Sequence, residues 1–441
     1  MDAGSPGAGP AVRLRASRRV GRVQRVALLL LVSSGALNYV DRATLSVANL
    51  PVRHDLGFSL GGMGLLLSAF LWSYAFSQLP AGMLIDRYGP RRILSAGLAL
   101  WSVAQVLSGL VTGFGQFFAV RLLLGVGEAP QSPASARVVR DWFNIRGRGT
   151  ATGIWNCSST LGSAIAVPLL TLLMMHLGWR WMFAIMGVVG IGLALLFRAL
   201  HREPRELALD GAERAYLQEG DEPATAPATF RQWRGLFGHR ISWGMIAGFF
   251  GCIYVLWVYN AWLPGYLEMD RHMSIERTGW VAAIPFLFGI AGSLAGGALA
   301  DWLVRRGMSP IDSRKYPMAA ALFGTAIFTV LAAEVQSNAV AIGCISVSMF
   351  LIYVSTAAAW AMAPVAAPAA CTASIGSMQN FGGYVGGALA PTVTGFIAQA
   401  TGSFTPALLT AAAVAALASV VYGVVIRDPI PASALMDRTT A

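Results

Sequence analysis

The sequence predicts an all-α polytopic membrane protein: twelve transmembrane helices in two pseudo-symmetric six-helix bundles, with both termini cytoplasmic. Three observations lead there. Of 441 residues, 56% are hydrophobic and only 12% charged, about half the charged fraction of a soluble protein and too few to cover a surface in water. Roughly twelve apolar stretches of about 18–25 residues recur, centred near residues 37, 72, 102, 128, 162, 190, 253, 288, 326, 350, 387 and 415, the length that crosses a bilayer as a helix. The net charge of +11 is sorted by loop. Arginines crowd residues 13–25, then Arg87, Arg91 and Arg92, then Arg140, Arg146 and Arg148, then Arg305, Arg306, Arg314 and Lys315, while the intervening loops carry little more than Arg53, Arg180 and Arg271. That alternation is the positive-inside pattern, so the basic balance reports topology and not nucleic-acid binding.

Taken in order, residues 1–25 read as a polar, basic cytoplasmic tail. No small-residue cleavage site follows the first apolar run, so span one reads as retained and not as a signal peptide. Residues 26–199 hold the first six spans and 200–240 a polar central loop; 241–427 hold the second six, and 428–441 form a cytoplasmic tail. Gly (49) and Pro (21) fall inside many spans, which membrane helices tolerate. The four cysteines, Cys157, Cys252, Cys344 and Cys371, lie in or beside apolar spans, which argues against a disulfide framework or a metal site.

The loop after span two reads GMLIDRYGPRR (82–92) and the loop after span eight GGALADWLVRRG (296–307). Gly82, Asp86, Arg87, Gly89, Arg91 and Arg92 in the first are echoed by Gly297, Asp301 and Arg305 in the second. The same device at the same place in both halves is an internal repeat, one of the ways secondary transporters are built. The first loop fits the G-x-x-x-D-R-x-G-x-R-R signature. Three further stretches are NYVDRATLSVA (38–48), RLLLGVGEAPQSPASARVVRDWFNIRGRGTATGIWN (121–156) and QNFGGYVGGALAPTVTGFI (379–397). On these motifs the chain resembles the major facilitator superfamily, and within it the anion:cation symporter branch. That branch includes carriers of hexuronates, galactonate, glucarate, tartrate and phthalate, and vesicular glutamate and sialic-acid carriers. The resemblance covers nearly the whole chain apart from the termini and central loop.

Central charges are few and lie in two helices: Asp41 and Arg42 in span one, Arg121 and Glu128 in span four. Each costs at least a few kcal/mol to place in a bilayer. Arg121 and Glu128 share a helix face about 10 Å apart along the axis, with Gly125 between them leaving open space. Span one runs outward and span four inward, so depth pairs Asp41 with Arg121 towards the outside and Arg42 with Glu128 below. Four cancelling charges leave the site near neutral. Protonating Asp41 or Glu128 would free a guanidinium to take a carboxylate bidentately, which couples a proton to an anion. The resemblance implies the same division, with acids at the Asp41 and Glu128 positions carrying protons and arginines at the Arg42 and Arg121 positions serving substrate.

Tyr39, three residues before Arg42, shares nearly its face, and Tyr74 of span two could face it; both match substrate-site tyrosines of the family. Gln131, three beyond Glu128, reads as a neutral hydroxyl reader on the same cavity. The resemblance adds Trp360 of span ten and Asn380 of span eleven as substrate contacts. Ser159, an expected substrate contact, stands where galactonate-type members carry glutamine, and Ala357 where they carry serine; this places the chain nearer hexuronate or other organic-acid carriers. The glycines at 289, 292, 296 and 297 and at 382, 383, 386 and 387 have the spacing of close helix packing and rocking surfaces. Asp86 and Asp301 should latch the cytoplasmic side against helix N-termini or arginines of neighbouring spans.

The expected function is a proton-coupled importer of a small organic anion, a sugar acid such as a hexuronate, aldonate or aldarate, acting by alternating access in a bacterial inner membrane. No metal, no cofactor and no nucleic acid is implied; the partners are the substrate anion, protons and the bilayer, and the chain is expected to act as a monomer. The alternative on the same fold is an organic-anion exchanger or efflux carrier without proton coupling. A drug–proton antiporter would not need two central arginines, the central loop is short for a nutrient sensor, and no metal-ligand cluster, nucleophile elbow or phosphate-binding loop supports an enzyme.

Overall fold

The computed structural model describes residues 16–219, 230–368 and 371–431. It opens with α1 (Arg18–Val47), whose first turn is capped by the Ser17 hydroxyl accepting from the Val20 amide at 3.1 Å. The helix therefore begins inside the segment read as tail. A short outer helix, α2 (Asn49–Leu56), leads to α3 (Leu60–Tyr88) and α4 (Pro90–Ser108). Span four is in two parts: α5 (Phe114–Glu128) passes through a turn at Ala129 and Pro130 and continues as α6 (Gln131–Trp142). Spans five and six form one run, α7 (Ile145–Leu200), folded back at Gly178. Its φ of 80° lies in the left-handed region that glycine occupies without strain.

After α7 come a 3-10 turn (Pro204–Glu206), α8 (Gly211–Gln218) and α9 (Phe230–Leu236). The second half holds α10 (Arg240–Met269), α11 (Ile275–Val281) running into α12 (Ala283–Arg305), α13 (Asp312–Glu334), α14 (Asn338–Trp360), the short α15 (Ala363–Ala366), α16 (Thr372–Thr401) and α17 (Thr405–Val420) with a π turn to Val425. Eight of these runs are long and apolar enough to cross a membrane, α7 doing so twice. With α4, α5/α6 and α16 the fold comprises twelve spans.

The central segment is more than a connector. Asp210 and Glu213 form a capping box that starts α8, and Glu213 also accepts from the Ser17 hydroxyl at 2.5 Å. Gln24 of α1 donates to the Trp142 carbonyl at 2.7 Å and the Tyr216 hydroxyl at 3.4 Å, and Asn144 donates to Glu219 at 3.0 Å. Arg91 pairs with Glu206 at 2.7 Å and donates to the Arg198 carbonyl. Residues 201–219 are thus bound to the first half.

The glycines expected on rocking surfaces pack inside the second half instead. A β-carbon at Gly292 or Gly296 would stand 2.1 Å from the Phe350 carbonyl or 2.6 Å from that of Val354, so α12 and α14 touch backbone to backbone. Gly382 and Gly386 do the same between α16 and α10. The seam between the halves is built by other small residues, all towards the outer side. Gly64 of α3 would place a β-carbon 2.5 Å from the Pro391 carbonyl of α16, and Gly395 one 2.6 Å from the Leu60 carbonyl. Thr392 donates to the Ser68 hydroxyl at 2.7 Å, the Gly61 amide to Gln399 at 2.8 Å, and Ser46 to the Ala261 carbonyl at 2.7 Å. Inward of this seam Tyr384 of α16 is hydrogen-bonded to Tyr74 of α3, and beyond that pair, among the described residues, no hydrogen bond or ion pair links the halves. The molecule is closed outside and open inside.

Candidate functional site

Adjacent residues on a helix diverge by about 100°, so Asp41 and Arg42 enter different surroundings. Arg42 faces the space between the halves. Its Nε donates to Glu128 Oε2 at 2.9 Å, with Glu128 wholly buried and the Arg42 side chain 15% exposed. The guanidinium carbon lies 4.9 Å from the Tyr39 ring centroid, 5.2 Å from Phe70 and 4.9 Å from Tyr74. Three ring faces thus replace water around the cation. Among the described residues no acceptor meets its Nη groups, which leaves the fork open to an anion. The depth argument for Arg42 and Glu128 matches this geometry.

The second expected pair does not form. Asp41 is buried against α4, where its Oδ1 accepts from Gln105 Nε2 at 3.1 Å; the same amide donates to Thr44 at 3.0 Å. Arg121, 1% exposed, lies 5.5 Å from the Phe70 ring centroid, and its Nε and Nη1 have no partner among the described residues. Gly125 leaves no open space either: a β-carbon there would stand 2.4 Å from the Phe70 carbonyl and 2.8 Å from the Tyr74 amide. It lets α5 lie directly on α3, which carries Phe70 and Tyr74 up to Arg42.

Of the other expected contacts, Ser159 reaches the Tyr39 hydroxyl, and Asn380 reaches the hydroxyl of Tyr384, whose ring is 5.4 Å from that of Tyr74. Gln131 is taken up by α1: the backbone stays helical through Ala129 and Pro130, so where Glu128 meets Asn38, Gln131, 4% exposed, donates one turn inward to Ser34 at 2.9 Å. Trp360 is half exposed and packs edge-on to Phe249, ring centroids 5.7 Å apart. It lies two turns, about 10 Å, inward of Tyr353 on the same helix face, outside the ring cluster.

Residues missed from the sequence are Gln105, Tyr353, which neighbours Tyr39, and Tyr384. Tyr384 could have been found, since it follows Asn380 by one helical turn in QNFGGY. Gln105, one uncharged amide in an apolar run, gave no signal. His201 at the end of α7 is no proton carrier at neutral pH: burial, with Arg91 nearby, pushes it down to about 4.

The loop motif is engaged on one side only. Asp86 pairs with Arg137 of α6 at 3.0 Å, and Arg137 also holds Asp141 at 2.9 Å. Gly89 has φ 83°, and a β-carbon there would collide with the Glu203 carboxylate, which accepts from the Arg91 amide at 3.2 Å and so caps α4. Arg87 lies over Tyr88, while Arg92, Asp301 and Arg305 are exposed. Asp301 has no ion pair or hydrogen bond among the described residues, so the expected second latch is not engaged. Around Gly82 and Gly297 a β-carbon would meet nothing within 4 Å.

The sequence pattern described as the Major Facilitator Superfamily matches residues 31–391. A probable L-galactonate transporter of Escherichia coli (strain K12) is 43% identical over 415 residues, 94% of this chain and 92% of that one. A D-galactonate transporter of Escherichia coli O6:H1 is 31% identical, over 92% and 96% of the two chains. The hexuronate transporter of Bacillus subtilis (strain 168) is 30% identical over 89% and 92%. The expected leaning towards hexuronate carriers, drawn from Ser159 and Ala357, is therefore not the order in which identity falls. Among solved structures, a bacterial homologue of the human lysosomal transporter Spinster, inward-facing and unoccupied, superposes with TM-score 0.80 at 18% identity over 93% of this chain and 98% of that one, a likeness of fold. The chain belongs to the Major Facilitator Superfamily, a family of membrane transporters and not of enzymes.

Proposed function

We propose that the protein imports a small organic anion of the sugar-acid class together with protons, by alternating access, as a monomer in a bacterial inner membrane and with no cofactor beyond the proton gradient. The observation that carries this reading is Arg42: one edge of its guanidinium is bound to Glu128, and its Nη fork is open among three aromatic rings. Protonating Glu128 removes the charge that holds Nε, and the freed guanidinium takes a carboxylate in bidentate geometry. The rings of Tyr39, Tyr74 and Tyr384 supply apolar faces with hydroxyl tips, suited to the C–H faces and hydroxyls of a sugar acid. Arg121 adds a second buried cation that favours an anion. The names of the relatives, which include galactonate, galactarate/D-glucarate and hexuronate transporters, support the same substrate class. Asp41 is the second proton-binding acid, acting from behind the site through Gln105.

A second reading, an anion exchanger without proton coupling, is favoured by one observation. Arg121 meets no carboxylate at hydrogen-bonding distance, and fixed positive charge is what an exchanger would keep. Proteoliposomes with a pH-sensitive dye inside separate the two, with galactonates, galactarate, glucarate and hexuronates as the panel. In the proton-coupled case one acid drives proton entry, and Glu128→Gln and Asp41→Asn lose that entry while still exchanging substrate. If uptake ignores both the pH gradient and the two substitutions, the exchanger reading replaces the first.

A further inference from the structure

We propose that the cytoplasmic face of the first half carries a separate site for a phosphate-bearing anion, in the cleft between α6, the start of α7 and α8. The cleft is about 460 Å³ and is lined by Arg137, Arg140, Arg148, Arg205 and Arg214, with Asp141 as the carboxylate among its described lining residues. That carboxylate is already held by Arg137, at 2.9 and 3.1 Å. Arg140, Arg205 and Arg214 make no ion pair or hydrogen bond through their guanidinium groups among the described residues. Arg148 is aimed by two backbone carbonyls, those of Phe143 at 2.9 Å and Arg140 at 3.0 Å.

Acids of the segment that forms one wall of this cleft bond to groups outside its lining. Glu206 goes to Arg91, Glu213 to Ser17 and Glu219 to Asn144. The same bonds fix α8 in place, which sets the position of that wall. Arg140 and Arg205 share the field of Asp141 with Arg137, so cations outnumber that carboxylate among the described lining residues and repel one another; a phosphoryl group, with up to two charges and three acceptor oxygens, offers several guanidinium forks a partner at once. The cleft lies inward of Glu128, away from the ring cluster around Arg42. It shares Arg137 with Asp86 of the loop motif, so filling it draws on the guanidinium that holds that motif. The phosphate could belong to a small phosphorylated molecule of the cytoplasm or to an anionic phospholipid of the inner leaflet.

The test uses the purified full-length chain. Binding of radiolabelled inorganic phosphate is measured at constant ionic strength in chloride, and retention of phosphatidylglycerol is measured by native mass spectrometry from phosphatidylglycerol nanodiscs. The double variant Arg205→Gln/Arg214→Gln changes two exposed side chains, and Arg240→Gln/Arg427→Gln is the equal-charge control on the second half. A soluble ligand is supported by saturable phosphate binding that weakens roughly tenfold or more in the first variant and stays within about twofold in the control. A lipid headgroup is supported by phosphatidylglycerol retention that falls in the first variant alone. The proposal is overturned if both variants behave alike in both assays, or if chloride displaces phosphate on equal terms. Asp221 and Glu222, next in sequence after α8, lie outside the described residues. Phosphate binding that is absent in wild type and gained in Asp221→Asn/Glu222→Gln would show the cleft to be filled by the chain itself, which also overturns the proposal.

Discussion

At the outer end of α3, Gly64 lies so close to α16 that a β-carbon would stand 2.5 Å from the Pro391 carbonyl; at the inner end, a β-carbon on Gly82 would meet nothing within 4 Å. About five helical turns separate the two glycines, so they occupy one face of one helix, about 27 Å apart. One is spent on the closure the molecule has made. The other keeps the same face bare where the halves stand apart. The comparison teaches that a glycine in this seam is to be judged by the state in which it is buried, since Gly82 has no packing role in the inward-open form. It also separates two kinds of contact. The outer seam joins the halves, whereas among the described residues the inner motif is bonded to its own half, through Arg137 and Glu203.

The largest effect should come from filling the seam at either end. Overpacking at backbone contact costs about 3 kcal/mol, roughly a hundredfold in a conformational equilibrium, so Gly64→Leu and Gly82→Leu should each lose most transport, for opposite reasons. Cys157 distinguishes them: it is exposed, the other three cysteines are buried, and it shares within about 40° the α7 face of Thr171, which touches Gly279 of the second half. Maleimide added from the inside should label Cys157 in Gly82→Leu and fail to do so in Gly64→Leu. Equal labelling of the two variants would break the comparison.

Next in size is Gly89→Ala, which forces a left-handed backbone onto a residue with a β-carbon and displaces the Glu203 carboxylate. A cost of about 1–3 kcal/mol should appear as a lower melting temperature and faster amide exchange in α8; unchanged exchange would mean that Glu203 does not anchor the central segment. Thr392→Val removes the hydroxyl that donates to Ser68. About 1 kcal/mol corresponds to a roughly fivefold shift away from the outward-closed state, read as slower Cys157 labelling from the inside. Smallest is Arg137→Gln. Its pair with Asp86 is exposed, 26% and 77% for the two side chains, and such pairs contribute about 0–1 kcal/mol, so transport rates should change by less than about fivefold in the absence of a cytoplasmic phosphate ligand.

Much of this architecture is legible in the sequence because a bilayer imposes coarse rules. Span length, loop charge and the repeated Gly–Asp–Arg loop led to twelve spans in two halves, and helix direction with depth led to Arg42 and Glu128. Depth fixes height and not azimuth, which is why the Asp41–Arg121 pair failed. Asp41 has the right height but is turned about 100° from Arg42, towards Gln105. Gln131 kept its register with Glu128, but its amide is taken by Ser34 of α1, a partner that spacing alone does not reveal. The small-residue spacing identified close packing without identifying the partner helix, so Gly292 and Gly386 were read as moving surfaces when they lock α12 to α14 and α16 to α10. Asn380 and Tyr384 show the remaining gap: the pattern was present, but only an assembled cavity makes a tyrosine one turn away worth counting.

The docking of α8 onto the first half has a practical consequence for watching this molecule work. A helix pinned through Glu213 to Ser17 and through Tyr216 to Gln24 is a fiducial on one half, while the exposed Arg305 at the end of α12 belongs to the other. A pair of dyes, one at Gly211 and one at Arg305, would act as a ruler spanning the open inner side. Their separation shortens as that side closes, and neither dye touches the cavity in which the anion is held.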